Sequence, residues 1–577
     1  MLTFIDFETF KYDWLCVLIN PIKKTETVIV NDPDKLKKFY EENKNTIYCG
    51  YNIRGYDQWI YKAILAGFNP YDMNEHIITN NKKGHEFSNV LRNFPLVFYD
   101  VAQFGASLKQ LEAMQGHSIY ESEVDFRLDR KLTQAEIDET IKYCRNDVEE
   151  TMSIFLKKKA DFDVQMELIH EFKLPLNSIS KTQTQLTAEI LGAKRRECTD
   201  EFNLSFPKYL NKIKKYRNIV NWFKQFKTDK NFTDEQKKEL YKNKLECFVA
   251  GAPHVFGWGG LHGAKPKYYG TGYYVHIDVS QYYPSLTVTH NYFSRATTEE
   301  GKRRYDMMRR ESIRLKKYPE LANKRAGYKL CNNKAYGAMK DIYNALYDPL
   351  MANNICVTGQ LALLLLIEML EPHCELIQSN TDGLIVRIDS LDKYEVIDDI
   401  CYEWECMTKV SLAFDPIITK IYQKDVNNYV FINEEDEVEC KGAYVKKLNS
   451  LDYDLPIVNR ALKEYMIHGT PVESTVNSCD DLIEYQKIVK LSSKYDSVMH
   501  NMNKYTHKCY RVFASKSSTD GMIYKCRDGK SDKFANTPEK CFLENGDIRG
   551  MKVPAKLDKG YYINLAYDRL EQYGIGG

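Results

Sequence analysis

Tyr273-Tyr274-Val275-His276-Ile277-Asp278-Val279-Ser280-Gln281-Tyr282-Tyr283-Pro284-Ser285 is the stretch on which the reading of this chain turns. Its opening, Tyr273 to Ile277, is rich in aromatic and β-branched residues and predicts a strand that delivers an aspartate at its end. Further along, Leu376-Ile377-Gln378 and Leu384-Ile385-Val386-Arg387-Ile388 flank Asn380-Thr381-Asp382-Gly383. That pattern predicts a hairpin with Asp382 at its tip and a positive φ at Gly383. Two aspartates on neighbouring strands, Asp278 and Asp382, are the minimum for a two-metal phosphoryl-transfer site.

A triphosphate at such a site needs cations. Residues 300 to 340 read as two basic helices, and Arg325, Lys329, Asn333 and Tyr336 fall within about 80° of one another on a helical wheel. Guanidinium, ammonium, amide and phenol therefore share one stripe. A solvated basic face is the bland alternative, but it seldom mixes Asn and Tyr into an Arg/Lys row.

Outward to the N-terminus, Thr3-Phe4-Ile5 reads as a strand running into Asp6 and Glu8, whose i, i+2 spacing puts both carboxylates on one face. Asp57 sits in Asn52-Ile53-Arg54-Gly55-Tyr56-Asp57. Asp147 and Tyr143 are one helical turn apart in a long helix expected from Thr133 to Lys159, with Thr133 as N-cap and Glu136 three residues on. Four acids and a tyrosine could hold a second pair of Mg²⁺ ions for hydrolysis, with Tyr143 bonding the attacking water.

Composition neither supports nor opposes this. The 577 residues carry a net charge of +1. There is room for several domains, and we see no repeat and no low-complexity tract. No continuous run of eighteen apolar residues occurs, so no membrane association is expected. The start lacks the pattern of a signal peptide, and none of the 15 cysteines forms a Cys-x-x-Cys pair. A cytosolic chain with reduced thiols is the expectation.

In their order, Asp-x-Glu, Asn-x(2–3)-Tyr/Phe-Asp and Tyr-x(3)-Asp resemble the three exonuclease motifs of proofreading DNA polymerases. Asp-x(3)-(Leu/Tyr)-Tyr-Pro-Ser, Lys-x(3)-Asn-x(2)-Tyr-Gly and Thr-Asp-(Ser/Gly) resemble motifs A, B and C of family B DNA polymerases, in the compact form found in small phages (phi29-like). The resemblance implies an α/β (α+β) multidomain fold: a ribonuclease-H-like 3'–5' exonuclease domain followed by a right-hand polymerase domain of palm, fingers and thumb. It divides the chain into an exonuclease at 1–165, a connecting segment with a template-binding turn at 166–265, palm at 266–300, fingers at 301–345, palm again at 346–445, and thumb and C-terminal region at 446–577.

The resemblance also assigns roles. Asp278 and Asp382 would bind two Mg²⁺ (Mn²⁺ as a substitute), as would Asp6, Glu8, Asp57 and Asp147. Tyr283 would exclude the ribose 2' hydroxyl. Arg325 and Lys329 would take the dNTP triphosphate, and Asn333 and Tyr336 would line the nascent base pair. Thr9, Asn52 and Tyr56 would touch single-stranded primer. Gly259 and Gly260 would hold template, and Tyr429 and Lys441 the primer strand. Tyr99-Asp100 and Ser107-Leu108-Lys109 resemble the stretch between the second and third exonuclease motifs.

The chain departs from the pattern at Asn380, where motif C usually has Asp, and at Lys334, Gln281, Tyr282, Gly257 and Asn427. The expected activity is template-directed synthesis with proofreading on primer-template DNA by a monomeric phage replicative enzyme, together with replication accessory proteins. The rivals are a nuclease-only chain, a protein-primed polymerase, a non-enzymatic scaffold and a reverse transcriptase.

Overall fold

The computed structural model describes residues 2–229 and 232–575. The chain divides into two compact units. Unit 1 comprises Met1–Lys181, Leu448–Ile457 and Val476–Tyr562, and unit 2 comprises Thr182–Lys447, Val458–Thr475 and Ile563–Gly577. The region 446–577, expected as one block, is therefore split, and most of it clusters with the N-terminal segment. The first segment of unit 1 runs to Lys181.

Unit 1 is built on a five-stranded sheet of β1 (Leu2–Thr9), β2 (Trp14–Asn20), β3 (Thr25–Val30), β4 (Ile47–Gly50) and β5 (Phe98–Asp100), in the order β3-β2-β1-β4-β5. The β1–β2 and β2–β3 pairs are antiparallel, and β4 lies parallel to both β1 and β5. Period-two alternation sorts β1 by face. Ile5 and Phe7 enter an apolar cluster with Ile60, Tyr61 and Ile64 of the helix Asp57–Leu65. Phe4 instead meets Phe155 edge-on at 5.3 Å, on the helix Gln134–Lys157. That helix starts as expected: the Thr133 hydroxyl accepts from the Glu136 amide while the Glu136 carboxylate accepts from the Thr133 amide.

The C-terminal part of unit 1 adds a three-stranded and a four-stranded antiparallel sheet, drawn from residues 487–543. Arg511, fully buried there, donates to the carbonyls of Ala113 (3.1 Å), Gly546 (2.7 Å) and His117. Ile119 donates to the Asn545 carbonyl and Ile548 to that of Gly116. These bonds fix the chain just after the helix Leu108–Met114.

Unit 2 centres on a ten-stranded antiparallel sheet. Its strands are β6 (Leu245–Val249), β7 (Ala252–Phe256), β8 (His262–Ala264), β9 (Tyr268–Val279), β10 (Glu375–Asn380), β11 (Gly383–Ile388), β12 (Leu412–Phe414), β13 (Ile418–Asp425), β14 (Asn428–Asn433) and β15 (Val438–Lys441). The order is β15-β14-β13-β9-β11-β10-β8-β7-β6, with β12 also paired to β9. The glycine-dense turn, expected within a connecting segment, thus joins two strands of the central sheet.

Val275, Ile277 and Val279 of β9 and Leu384, Val386 and Ile388 of β11 share a core with the helix Pro349–Leu370. That helix is long and apolar enough to cross a bilayer, but 94% of its apolar window is buried inside the unit. Asp348 caps it, accepting from the Met351 amide at 3.4 Å, and is held in turn by Arg295, which also pairs with Asp200.

Two carboxylate centres

In unit 2, strand pairing brings the two aspartates together. Asp278 stands opposite Gly383 in the β9–β11 ladder, and the Val279 amide donates to the Asp382 carbonyl at 2.7 Å. Asp278 lies on the face of β9 turned away from the helix Pro349–Leu370. Burial first, and then the Asp382 charge, push the Asp278 carboxyl up to about 6. A cleft of about 340 Å³ opens above the pair, lined by Asp278, Tyr283, Lys329, Asn333, Thr381 and Asp382 together with Gln281 and Asn332.

Lys329 and Asn333 enter that cleft from the helix Ala322–Lys340, and Lys329 makes no ion pair among the described residues. Tyr336 reaches it indirectly, its ring 4.6 Å from that of Tyr283. Arg325 does not arrive: its Nε donates to the Ser312 carbonyl at 3.1 Å, and it is absent from the lining. The wheel gave the right stripe, but the helix passes the cleft for only part of its length.

Gly383 also differs from expectation. Its φ is not positive. A Cβ there would sit 3.0 Å from the Ile277 carbonyl oxygen, so close approach of β9 explains the glycine.

The glycine turn abuts the hairpin tip. A Cβ on Gly260 would lie 2.3 Å from the Thr381 hydroxyl, whereas one on Gly259 would meet open space. Gln360 pins the turn by donating to the carbonyls of Gly257 (2.7 Å) and Gly259 (2.9 Å). Tyr429 is buried, stacks on Phe431 and donates to Glu439 at 2.8 Å. Burial first, then Glu439, and last the charges of Asp382 and Asp278 raise its hydroxyl. Exposed Lys441 pairs opposite Tyr429 with its Nζ 5.7 Å from that ring, and its charge reaches His262 beside Thr381.

In unit 1, Asp6, Glu8, Asp57 and Asp147 converge, each raised chiefly by burial; charges of other members of the set raise Asp6, Glu8 and Asp57 further, while Lys109 pulls Asp147 back down. Asp57, the first residue of its helix, accepts from the Phe7 amide at 3.2 Å and is pushed up to about 7. Asp147 pairs with Lys109 at 2.5 Å, and Lys109 also pairs with Glu112 at 2.9 Å and lies 4.8 Å over the Tyr143 ring. Thr9 is buried at the end of β1. Asn52 takes a left-handed φ of 61° with its amide on Asp100, and the Tyr56 hydroxyl donates to Asn74.

Half-buried Asp6 and buried Glu8, Asp57 and Asp147, of which among the described residues only Asp147 is paired with Lys109, fit divalent cations, because burying like charges is costly without counter-charge. The unit 2 pair, beneath an unpaired lysine, fits them too.

A pH dependence follows. A carboxyl raised on folding binds its proton more tightly folded than unfolded, so the associated stability is present at low pH. It is lost as pH rises from about 4, where such groups titrate when unfolded, through the folded value of Asp57. Without metal, unit 1 is expected to melt several degrees lower at about pH 8 than at about pH 5. Mg²⁺ should restore most of that loss at the higher pH and little at the lower. Thermal scans of Trp14 and Trp59 fluorescence, with and without Mg²⁺, check this.

Sequence reasoning missed Cys144, Glu112, Thr381, Gln360 and the closure of Lys109 onto Asp147. Lys109 stood in a recognised stretch, but nothing local placed it on an acid 38 residues away.

No family model matches the sequence. No curated protein matches it either. Among solved structures the chain is similar to the family B DNA polymerase from the hyperthermophilic archaeon Pyrobaculum calidifontis, at 13% identity and a TM-score of 0.44, over 100% of this chain and 78% of that one.

Proposed function

We propose that the chain is a DNA-directed DNA polymerase of the family B type with a 3'–5' proofreading exonuclease. The observation that carries the reading is the unit 2 cleft, lined together by Asp278 on β9, Asp382 at the tip of the adjoining β10–β11 hairpin, Lys329 and Asn333. Lys329 neutralises the incoming triphosphate, and Asn333 lies against the base pair. Tyr283, backed by Tyr336, forms a rigid wall beneath the sugar and leaves no space for a 2' hydroxyl. Mg²⁺ bound between the two aspartates would lower the cost of charge building up at the α-phosphate and on the leaving pyrophosphate.

The nuclease part of the reading is supported by the β3-β2-β1-β4-β5 sheet, which agrees with a ribonuclease-H-like domain, and by the four acids gathered on it. Tyr143 orients water there, and Lys109 holds Asp147 in place. A frayed primer end is the substrate. We read the protein as a monomeric phage replicative polymerase of the host cytosol using ordinary primers. Affinity for primer-template should fall with salt, by about 0.9 log unit per phosphate neutralised and decade of salt.

A primer-extension gel tests the reading. Mg²⁺ with all four dNTPs should lengthen the primer, and Mg²⁺ without them should shorten it. Shortening in both conditions would leave a nuclease alone. On the same gel, Tyr283→Val should raise ribonucleotide incorporation on the order of a hundred-fold while keeping dNTP incorporation within reach of wild type.

A further inference from the structure

Cys144 is fully buried in the helix Gln134–Lys157, and its thiol is turned toward the first carboxylate of unit 1. Its Sγ lies 3.4 Å from the Asp6 carbonyl oxygen and 3.6 Å from Asp6 Oδ2. With one carboxylate oxygen each from Asp6 and Glu8, it forms a group whose atoms all lie within 4.8 Å of one another.

The spacing of a thiol hydrogen bond also admits a shared metal. A metal–sulfur bond of about 2.3 Å and a metal–oxygen bond of about 2.1 Å at a tetrahedral angle separate sulfur from oxygen by about 3.6 Å. That is the separation found between Cys144 and Asp6. The surroundings suit a cation: half-buried Asp6 and buried Glu8 stand together with buried Asp57 and Asp147, and Lys109 already pairs with Asp147 and Glu112.

We propose that Asp6, Glu8 and Cys144 form a mixed carboxylate–thiolate site for a soft divalent cation, Zn²⁺ or Cd²⁺, overlapping the place where the nuclease reading puts a hard one. A hard cation takes oxygen ligands and leaves the thiol protonated, donating to Asp6. A soft cation recruits the sulfur: the S–H proton passes to water as the metal–sulfur bond forms, and the metal keeps its +2 state. The outcome is competition. The soft ion occupies carboxylates that Mg²⁺ needs and halts strand degradation. The unit 2 cleft has no cysteine in its lining and offers no such ligand. This inhibitory consequence, unlike the binding itself, rests on the nuclease reading.

The test uses full-length wild type, Cys144→Ser and Cys144→Ala, stripped of metal and titrated with Cd²⁺ under excess Mg²⁺. Two signals are read: the ultraviolet absorption of the Cd–thiolate bond and the degradation of a single strand. The first equivalent of Cd²⁺ should bring the thiolate absorption in wild type and not in either variant, although both keep every other cysteine. The Cd²⁺ concentration that halves each protein's own degradation rate should rise at least tenfold in both variants. Thiolate absorption at the first equivalent that is unchanged in the variants overturns the site. If the absorption depends on Cys144 but wild type degrades nothing in Mg²⁺, the metal site stands and the nuclease reading falls. Degradation that Cd²⁺ inhibits equally in all three proteins keeps the nuclease reading and overturns the competition.

Discussion

Asp382→Asn should lower primer extension by on the order of a thousand-fold or more, equivalent to about 4 kcal/mol of transition-state stabilisation. The substitution keeps the hairpin, because it is the main-chain carbonyl of Asp382 that accepts from Val279. What goes is one of two charges facing the cleft, and an amide cannot replace it toward divalent cations. Single-nucleotide incorporation, measured by rapid quench, reads the loss. Degradation of single strands by the same preparation should stay within about twofold, because the acids of unit 1 are untouched. Asn380→Asp is the contrast: it adds a carboxylate at the start of the same turn, and synthesis should survive with a shifted Mg²⁺ optimum. Normal synthesis by Asp382→Asn would remove the assignment of the unit 2 site.

The second large effect lies in the other centre. Asp6→Ala combined with Asp147→Ala should abolish metal-dependent degradation, a loss on the order of a thousand-fold, while extension of a matched primer continues. A mismatched primer end should then persist instead of being trimmed. The same variant should melt higher than wild type in the absence of metal. Two of the four converging carboxylates are gone, and with them the charge of Asp147 on Asp6, although Lys109 keeps Glu112 as its partner. Strand degradation that survives the double substitution would exclude the nuclease reading. Loss of both activities would mean that the two centres are not separable.

The acids were legible because strand and helix periodicities are local. Asp6 and Glu8 share a face of β1 by simple alternation, and Thr133 with Glu136 announced the helix that carries Asp147. Asp278 and Asp382 were legible as strand end and hairpin tip. What failed depended on packing between distant segments. Arg325 sits on the correct stripe, but the helix Ala322–Lys340 turns that residue onto Ser312. The reason for Gly383 is the backbone of β9 passing beside it, which no turn rule contains. The division of residues 446–577 between two units was invisible because its short strands pair with one another and its anchoring bonds run to residues 113–119.

The clamp of Arg511 on the carbonyls of Ala113 and His117 also sets a timetable. The segment bearing Lys109 leaves the ribosome early, yet the residue that secures it is made some four hundred residues later. At about 5–20 residues per second, the nascent chain spends roughly 20–80 seconds with its N-terminal acids built but unsecured. A translation product broken off before Arg511 therefore lacks that clamp.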